Sequence, residues 1–193
     1  MVSFNELVQA LHWDVPVNLP KIGVTSIRYD SRLVEQGSIF VALTGGTTDG
    51  HRFIPQAVQN GAVAVIGERA IENITVPYFQ VDDSRRALAL LSAAYYNFPA
   101  RHLTVIGITG TDGKTTTTNI LYQILIAAGL KAGMISTVNA VIGDVQLDTG
   151  FHVTTPEAPD VQRYLARMVE AGLSCVVLES TSHGLAQHRV TAC

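Results

Sequence analysis

Apolar residues at Phe4, Leu7, Val8 and Leu11 recur three and four apart behind Ser3 and Glu6, a pair spaced for a capping box. This predicts a short amphipathic helix at the start of the chain. The denser apolar runs Val24 to Tyr29 and Ser38 to Leu43 predict strands on either side of Asp30-Ser31-Arg32. A polar loop from Thr44 to Gly50 precedes a helix through Phe53 to Asn60 that stops at Gly61. Ala62 to Ile66 and Tyr78 to Val81 predict two further strands, and Asp83 to Phe98 a helix ended by Pro99. The pattern then restarts with the apolar run Leu103 to Ile106, a glycine loop, and a helix from Thr116 to Gly129 with Ile120, Leu121, Ile124, Leu125 and Ala128 as its stripe. Lys131 to Ser136 and Ala171 to Leu178 predict strands, the second run carrying Glu179 at the end of Cys175-Val176-Val177-Leu178. Between them Thr155 is placed to cap a helix with Pro156 first, Glu157 and Asp160 in the first turn, and Val161, Tyr164, Leu165, Met168 and Val169 on one face. Strands alternating with helices predict an α/β fold. Its units are a small N-terminal α/β unit over residues 1–99 and a second, Rossmann-like P-loop unit over 103–193, joined at Pro99-Ala100-Arg101-His102.

Composition narrows what such a chain can be. With 193 residues, 47% hydrophobic and 15% charged, it can bury a substantial core and is not a disordered chain. A net charge of −3 gives no general basic field for nucleic acid, so any anion must be bound locally. Cys175 and Cys193 form neither a disulfide framework nor a metal spacing, which points to the cytoplasm. No stretch reaches membrane-spanning length and no leader pattern opens the chain. Nothing after Arg189-Val190-Thr191-Ala192 has the composition of a tail, so Cys193 reads as a cut rather than an end.

The chemistry concentrates in Gly107-Ile108-Thr109-Gly110-Thr111-Asp112-Gly113-Lys114-Thr115-Thr116. Glycines let main-chain N–H groups converge on a polyphosphate, the following helix turns its positive end to the same anion, and Lys114 adds a full charge. Ile108 stands where a complete Walker A pattern has glycine, so the match is to its shorter core. Thr115 falls where a hydroxyl can ligate a Mg²⁺ bridging terminal phosphates, and Glu179, at the carboxyl end of a strand, is placed to hold the same ion. Gly110, Thr111, Asp112, Gly113, Lys114, Thr115 and Thr116 thus form the expected ATP site, with Lys114 and Glu179 as its catalytic residues. His183 beside Glu179 reads as a hydrogen-bonding residue of the turn, not as a ligand.

The residues then resemble a family, the Mur ligases, over essentially the whole chain. In the first unit the resemblance rests on Asp30-Ser31-Arg32, Gly37 to Leu43 and Asp49-Gly50-His51-Arg52-Phe53-Ile54. In the second it rests on Gly110 to Thr116, on Thr154-Thr155-Pro156-Glu157, and on Glu179-Ser180-Thr181-Ser182-His183-Gly184-Leu185 with Gln187-His188-Arg189-Val190. The branch of the family most similar is the one that adds the third amino acid of the peptidoglycan precursor. The resemblance implies that Tyr29, Ser31, Gly46, Thr47 and Thr48 contact a uridine diphosphate sugar, and that Thr154, Thr155, Thr181, Gln187 and Arg189 hold its muramoyl-peptide end. It implies ATP-dependent amide formation on UDP-MurNAc-L-Ala-D-Glu through an acyl phosphate, with ATP and Mg²⁺ as cofactors and a free amino acid, meso-diaminopimelate rather than lysine, as second substrate. A monomeric full-length enzyme is expected, with no turnover by these 193 residues alone, because the family's carbamylated lysine and C-terminal domain lie further along. A folylpolyglutamate-synthase-like P-loop ligase would share the Gly-Lys-Thr loop but lack the first unit's motifs. A non-catalytic nucleotide-sugar module would keep those motifs and need neither Lys114 nor Glu179.

Overall fold

Four strand-forming runs of the first half pair in parallel, each separated from the next by helical or looped chain that carries it back across the sheet. In the computed structural model, residues 2–11, 22–45, 48–148 and 155–193 are described. Two compact units divide the chain between residues 95 and 96. Among the described residues of the first, β1 (Val2–Ser3) pairs antiparallel with β2 (Gly23–Val24). A separate sheet has the order β3 (Ser26–Arg28), β4 (Ser38–Val41), β5 (Ala62–Gly67), β6 (Tyr78–Gln80), all parallel. Because side chains alternate along a strand, β4 feeds both faces of the sheet. Ile39 and Val41 join Phe4 and Leu7 of α1 (Phe4–Ala10) and Leu88 and Leu91 of α3 (Ser84–Tyr95) on one side. Phe40 and Ala42 join Ile54 and Ala57 of α2 (Ile54–Gln59) on the other. The Ser3 N–H donates to Glu6 at 2.9 Å, one half of the capping box that opens α1.

The helix expected to run to Phe98 ends at Tyr95. Asn97 and Phe98 both take the left-handed conformation, at φ 58° and 50°, and Pro99 opens a 3-10 turn, Pro99–His102. A residue before proline is pushed out of the helical region, and asparagine tolerates positive φ, so the chain turns before the proline instead of at it.

Among the described residues of the second unit, five strands follow the order β10 (Val145–Asp148), β9 (Asn139–Ile142), β8 (Ala132–Ile135), β11 (Cys175–Glu179), β7 (Thr104–Ile108). β8, β11 and β7 are parallel and β9 and β10 form an antiparallel hairpin. All five residues of β11 are buried, as a strand covered on both faces requires. Val161, Leu165 and Met168 of α5 (Ala158–Glu170) are fully buried against Ile135, Val176 and Leu178. The predicted strand from Ala171 is shorter than expected, since Ala171 caps α5 and Gly172, at φ 70°, turns the chain into the strand.

Two helical expectations change in detail. Thr155 does not cap α5; Glu157 does, with Pro159 in the first turn, and the Asp160 and Val161 N–H groups donate to the Glu157 carbonyl at 2.9 and 3.1 Å. A helix begun at Pro156 would put Pro159 where the first main-chain bond is needed, and proline has no N–H to make it. In α4 (Lys114–Ala127) the packed stripe is Thr118, Leu121, Tyr122 and Leu125, one step round from the expected one. Ile120 and Ile124 are more than half exposed.

Candidate active site

Strands of a parallel sheet deliver their following loops to one edge, the carboxyl edge, where ligands of open α/β sheets bind. In the second unit β7 ends at Ile108, β8 at Ile135 and β11 at Glu179, and the register aligns these ends, Glu179 opposite Ile108 and Leu178 opposite Ile135. The glycine loop leaves β7 there. Gly110 at φ 149° and Gly113 at φ 75° take main-chain conformations that side chains resist, which lets the loop turn directly into α4. The first turn of a helix leaves main-chain N–H groups unpaired within it, and these belong to the Lys114-Thr115-Thr116 segment facing the loop. Gly110, Thr111, Asp112, Gly113 and Thr116 are exposed. The Lys114 ammonium folds back on the loop, donating to the Gly110 and Thr111 carbonyls at 2.9 Å each.

Thr115 and Glu179, 64 residues apart in sequence, are in contact. The Thr115 hydroxyl lies 2.9 and 3.0 Å from the two carboxylate oxygens. Glu179 is 1% exposed. A residue missed by sequence reasoning completes this corner: Thr137, just past β8, donates its main-chain N–H to Glu179 Oε2 at 3.1 Å and its hydroxyl to Oε1 at 3.0 Å. The hydroxyl pair Ser136-Thr137 directly after an apolar run was the available signal, because residues there reach the carboxyl edge. No lysine, arginine or histidine pairs with Glu179 among the described residues.

Thr155, Thr181, Gln187 and Arg189 form a second cluster. The Thr181 N–H donates to Thr155 Oγ1 at 3.2 Å, and the Thr181 hydroxyl accepts the Gly184 N–H at 2.9 Å, capping α6 (Ser182–Ala186). Gly184 is needed here, since a Cβ would stand 2.9 Å from Thr155 Oγ1. Arg189 donates to Gln187 Oε1 at 3.0 and 2.7 Å and to the Thr155 carbonyl. Its carboxylate partner is Glu157 of the same chain, at 2.9 Å, a pairing the sequence did not suggest. His183 sits 2.6 Å from the Gln187 amide, in keeping with a hydrogen-bonding role. Thr154 lies outside the described residues.

In the first unit Tyr29 and Ser31 follow β3 and the loop from Leu43 follows β4, so both reach the carboxyl edge of that sheet. The Ser31 hydroxyl, nearly buried, donates to Gln56 at 2.9 Å. Thr48 is exposed; Gly46 and Thr47 lie outside the described residues. The loop is pinched where Thr44 and Asp49 bridge and the Gly50 N–H donates to the Leu43 carbonyl at 2.8 Å. Glu68, past β5, accepts from the Thr44 hydroxyl at 2.6 Å and from the Ser84 N–H and hydroxyl at 2.9 and 2.7 Å. Burial raises the Glu68 pKa, but these donors outweigh it and leave the carboxyl below its usual range. Buried His51 receives the Glu68 N–H on Nε2 at 2.9 Å, so Nδ1 carries its proton and donates to Asp49 at 2.6 Å. That bond, with the His51 N–H, holds the Asp49 pKa low.

The chain is similar to known proteins in sequence and fold. A family model described as the Mur ligase family, catalytic domain, matches residues 23–96, and one described as the Mur ligase middle domain matches 108–193. A UDP-N-acetylmuramyl-tripeptide synthetase of Roseiflexus sp. is 43% identical over 90% of this chain and 35% of its own length. A UDP-N-acetylmuramoyl-L-alanyl-D-glutamate–2,6-diaminopimelate ligase of Bacillus cereus is 43% identical over 100% of this chain and 38% of its own. Among solved structures, a ligase of that same name superposes with a TM-score of 0.81 at 28% identity, covering all of this chain and 38% of the other. A MurF ligase from Thermotoga maritima in complex with ADP gives 0.55 at 29% identity, over 85% of this chain and 34% of the other. The chain therefore spans between a third and two-fifths of the length of such relatives. No helix among the described residues is long and apolar enough to cross a membrane.

Proposed function

Since this chain belongs to the Mur ligase family, we propose that it is the nucleotide-sugar-binding unit and the leading part of the ATP-binding unit of a UDP-N-acetylmuramoyl-tripeptide synthetase. The complete enzyme would be a cytoplasmic ligase that uses ATP to join an amino acid to UDP-MurNAc-L-Ala-D-Glu. Meso-diaminopimelate is favoured over lysine by the names of relatives such as the Bacillus cereus ligase.

One observation carries the reading: a buried carboxylate, Glu179, held by the hydroxyl of Thr115 immediately after the loop lysine. The donors on Thr115 and Thr137 offset part of the cost of burying this carboxylate, and a bound cation would offset more, since no basic side chain pairs with it among the described residues. The Glu179 carboxylate and the Thr115 hydroxyl offer oxygen donors, the hard ligands that suit Mg²⁺ and not a softer metal. Thr115 and Glu179 would hold that ion, which supplies charge against the terminal phosphates of ATP. Lys114 and the loop N–H groups would grip the same phosphates, Lys114 exchanging its two carbonyl partners for phosphate oxygens. Gly110 to Thr116 are the proposed ATP-binding residues. Tyr29, Ser31 and the 46–48 loop would bind the uridine diphosphate part, while Thr154, Thr155, Thr181, Gln187 and Arg189 would bind the muramoyl-peptide end. Arg189 would take the dipeptide carboxylate in place of, or beside, Glu157.

The test is Lys114→Ala in the complete ligase. Turnover should fall by on the order of 10² or more with the fold intact, because a charge aimed at the migrating phosphoryl is lost. Near-normal turnover would sink the assignment of ATP to this loop.

A further inference from the structure

We propose that Thr137 is the positioning residue for the Glu179 carboxylate, fixing the direction in which it faces the metal; the inference rests on the reading of Thr115 and Glu179 as the Mg²⁺ site. The pairing of β8 with β11 brings the two residues side by side, since Ile135 stands opposite Leu178 and the next residues of both strands emerge together at the carboxyl edge. Thr137 grips both carboxylate oxygens at once, its main-chain N–H at 3.1 Å from Oε2 and its hydroxyl at 3.0 Å from Oε1. Two donors on two oxygens stop the carboxylate from rotating about its terminal bond, a motion that side chains otherwise make freely.

Counting protons shows what this leaves open. A carboxylate offers about four lone-pair sites. Thr137 fills two of them. Thr115 has one hydroxyl proton within 2.9 and 3.0 Å of both oxygens and can serve only one at a time. One acceptor site therefore stays available, on a carboxylate whose orientation Thr137 has set. A metal-bound water is a donor suited to it, and Mg²⁺ tolerates little departure from octahedral geometry, so the setting matters. With its O–H directed at Glu179, the Thr115 hydroxyl would keep its own lone pairs for the ion. Thr137 itself need not touch the metal.

The experiment is carried out on the complete ligase with Mn²⁺ as the probe ion. Uptake of Mn²⁺ in the presence of ADP is read from the loss of the free-ion resonance signal, and ADP binding in EDTA is read by calorimetry. Thr137→Val removes the hydroxyl at nearly constant volume, and Thr137→Ser keeps it. Thr137→Val should weaken Mn²⁺ uptake about tenfold or more, the usual effect of losing a residue that orients a metal ligand, with ADP binding in EDTA unchanged. Thr137→Ser should stay within about twofold of the parent. Combined with Glu179→Gln, Thr137→Val should add nothing further, because it acts through the carboxylate. The inference is overturned by wild-type uptake in Thr137→Val, by equal losses in the valine and serine variants, or by additive losses in the double variant. A parent protein that holds no Mn²⁺ with ADP overturns the nucleotide-site reading as well, which separates the two failures.

Discussion

A methyl group added at Gly67 would stand 2.6 Å from His51 Nε2 and 2.6 Å from the Tyr78 hydroxyl. Neither neighbour can yield cheaply, because His51 is buried and hydrogen-bonded at both ring nitrogens and Tyr78 donates to the Arg69 carbonyl. Gly67→Ala should therefore cost the first unit about 1–3 kcal/mol, measured by chemical denaturation; a neutral result would mean that the His51 ring is held more loosely than its bonds suggest. Residues of this kind divide by how visible their chemistry is in sequence. Lys114, Thr115 and Glu179 stand out because a charge, a hydroxyl and an acid occur beside signals for a strand end or helix start. Glu68 and Glu157 do not, and Thr137 does so only as a hydroxyl after an apolar run, since threonine and glutamate are ordinary residues and their partners here lie 16 or more positions away. Only the sheet register or the folded loop brings Thr137 to Glu179, or Glu68 to Thr44 and Ser84.

The helices α4 and α5 both carry apolar residues at helical spacing, yet their energetics should differ. Leu165 of α5 is fully buried, so Leu165→Ala should destabilise the second unit by about 2–5 kcal/mol. Ile124 of α4 is 57% exposed, and Ile124→Ala in this chain should change stability by about 0.5 kcal/mol or less. Denaturant titration of the two variants checks the pair, and a large loss at Ile124 would contradict the packed stripe described for α4. The existence of both helices was legible in their periodicity. The rotation of α4 was not, because Thr118, polar by type, is the residue turned most fully into the protein. The start of α5 was hidden for a related reason: Thr155-Pro156 has the composition of a helix cap, but Pro159 forbids a helix that begins there.

At the scale of the whole molecule, the first unit contains carboxyls whose pKa values are held low. Asp30 is lowered by its hydrogen-bonded pairing with Arg32, Asp49 by His51, and Glu68 by Thr44 and Ser84 against the opposing effect of burial. A carboxyl depressed by folding contributes stability that is fully present above its unfolded value, near 4, and is lost as pH falls through its folded value. The first unit should hold its stability from neutrality to about pH 5 and lose it below about pH 4. Amide exchange of residues 22–95 across that range is the measurement, and protection that rises on acidification would reverse the sign. The alternation of strands and helices made the α/β class legible, while the strand order, with β11 between β8 and β7, depends on crossovers that no local pattern encodes. That order also has a practical use. β9 runs antiparallel to β8, so the exposed Gly143-Asp144 turn sits at the end of the sheet remote from Lys114, Thr137 and Glu179. A short tag or dye spliced into this turn would tether the protein to a surface, or report on it, from the end of this sheet opposite its carboxyl edge.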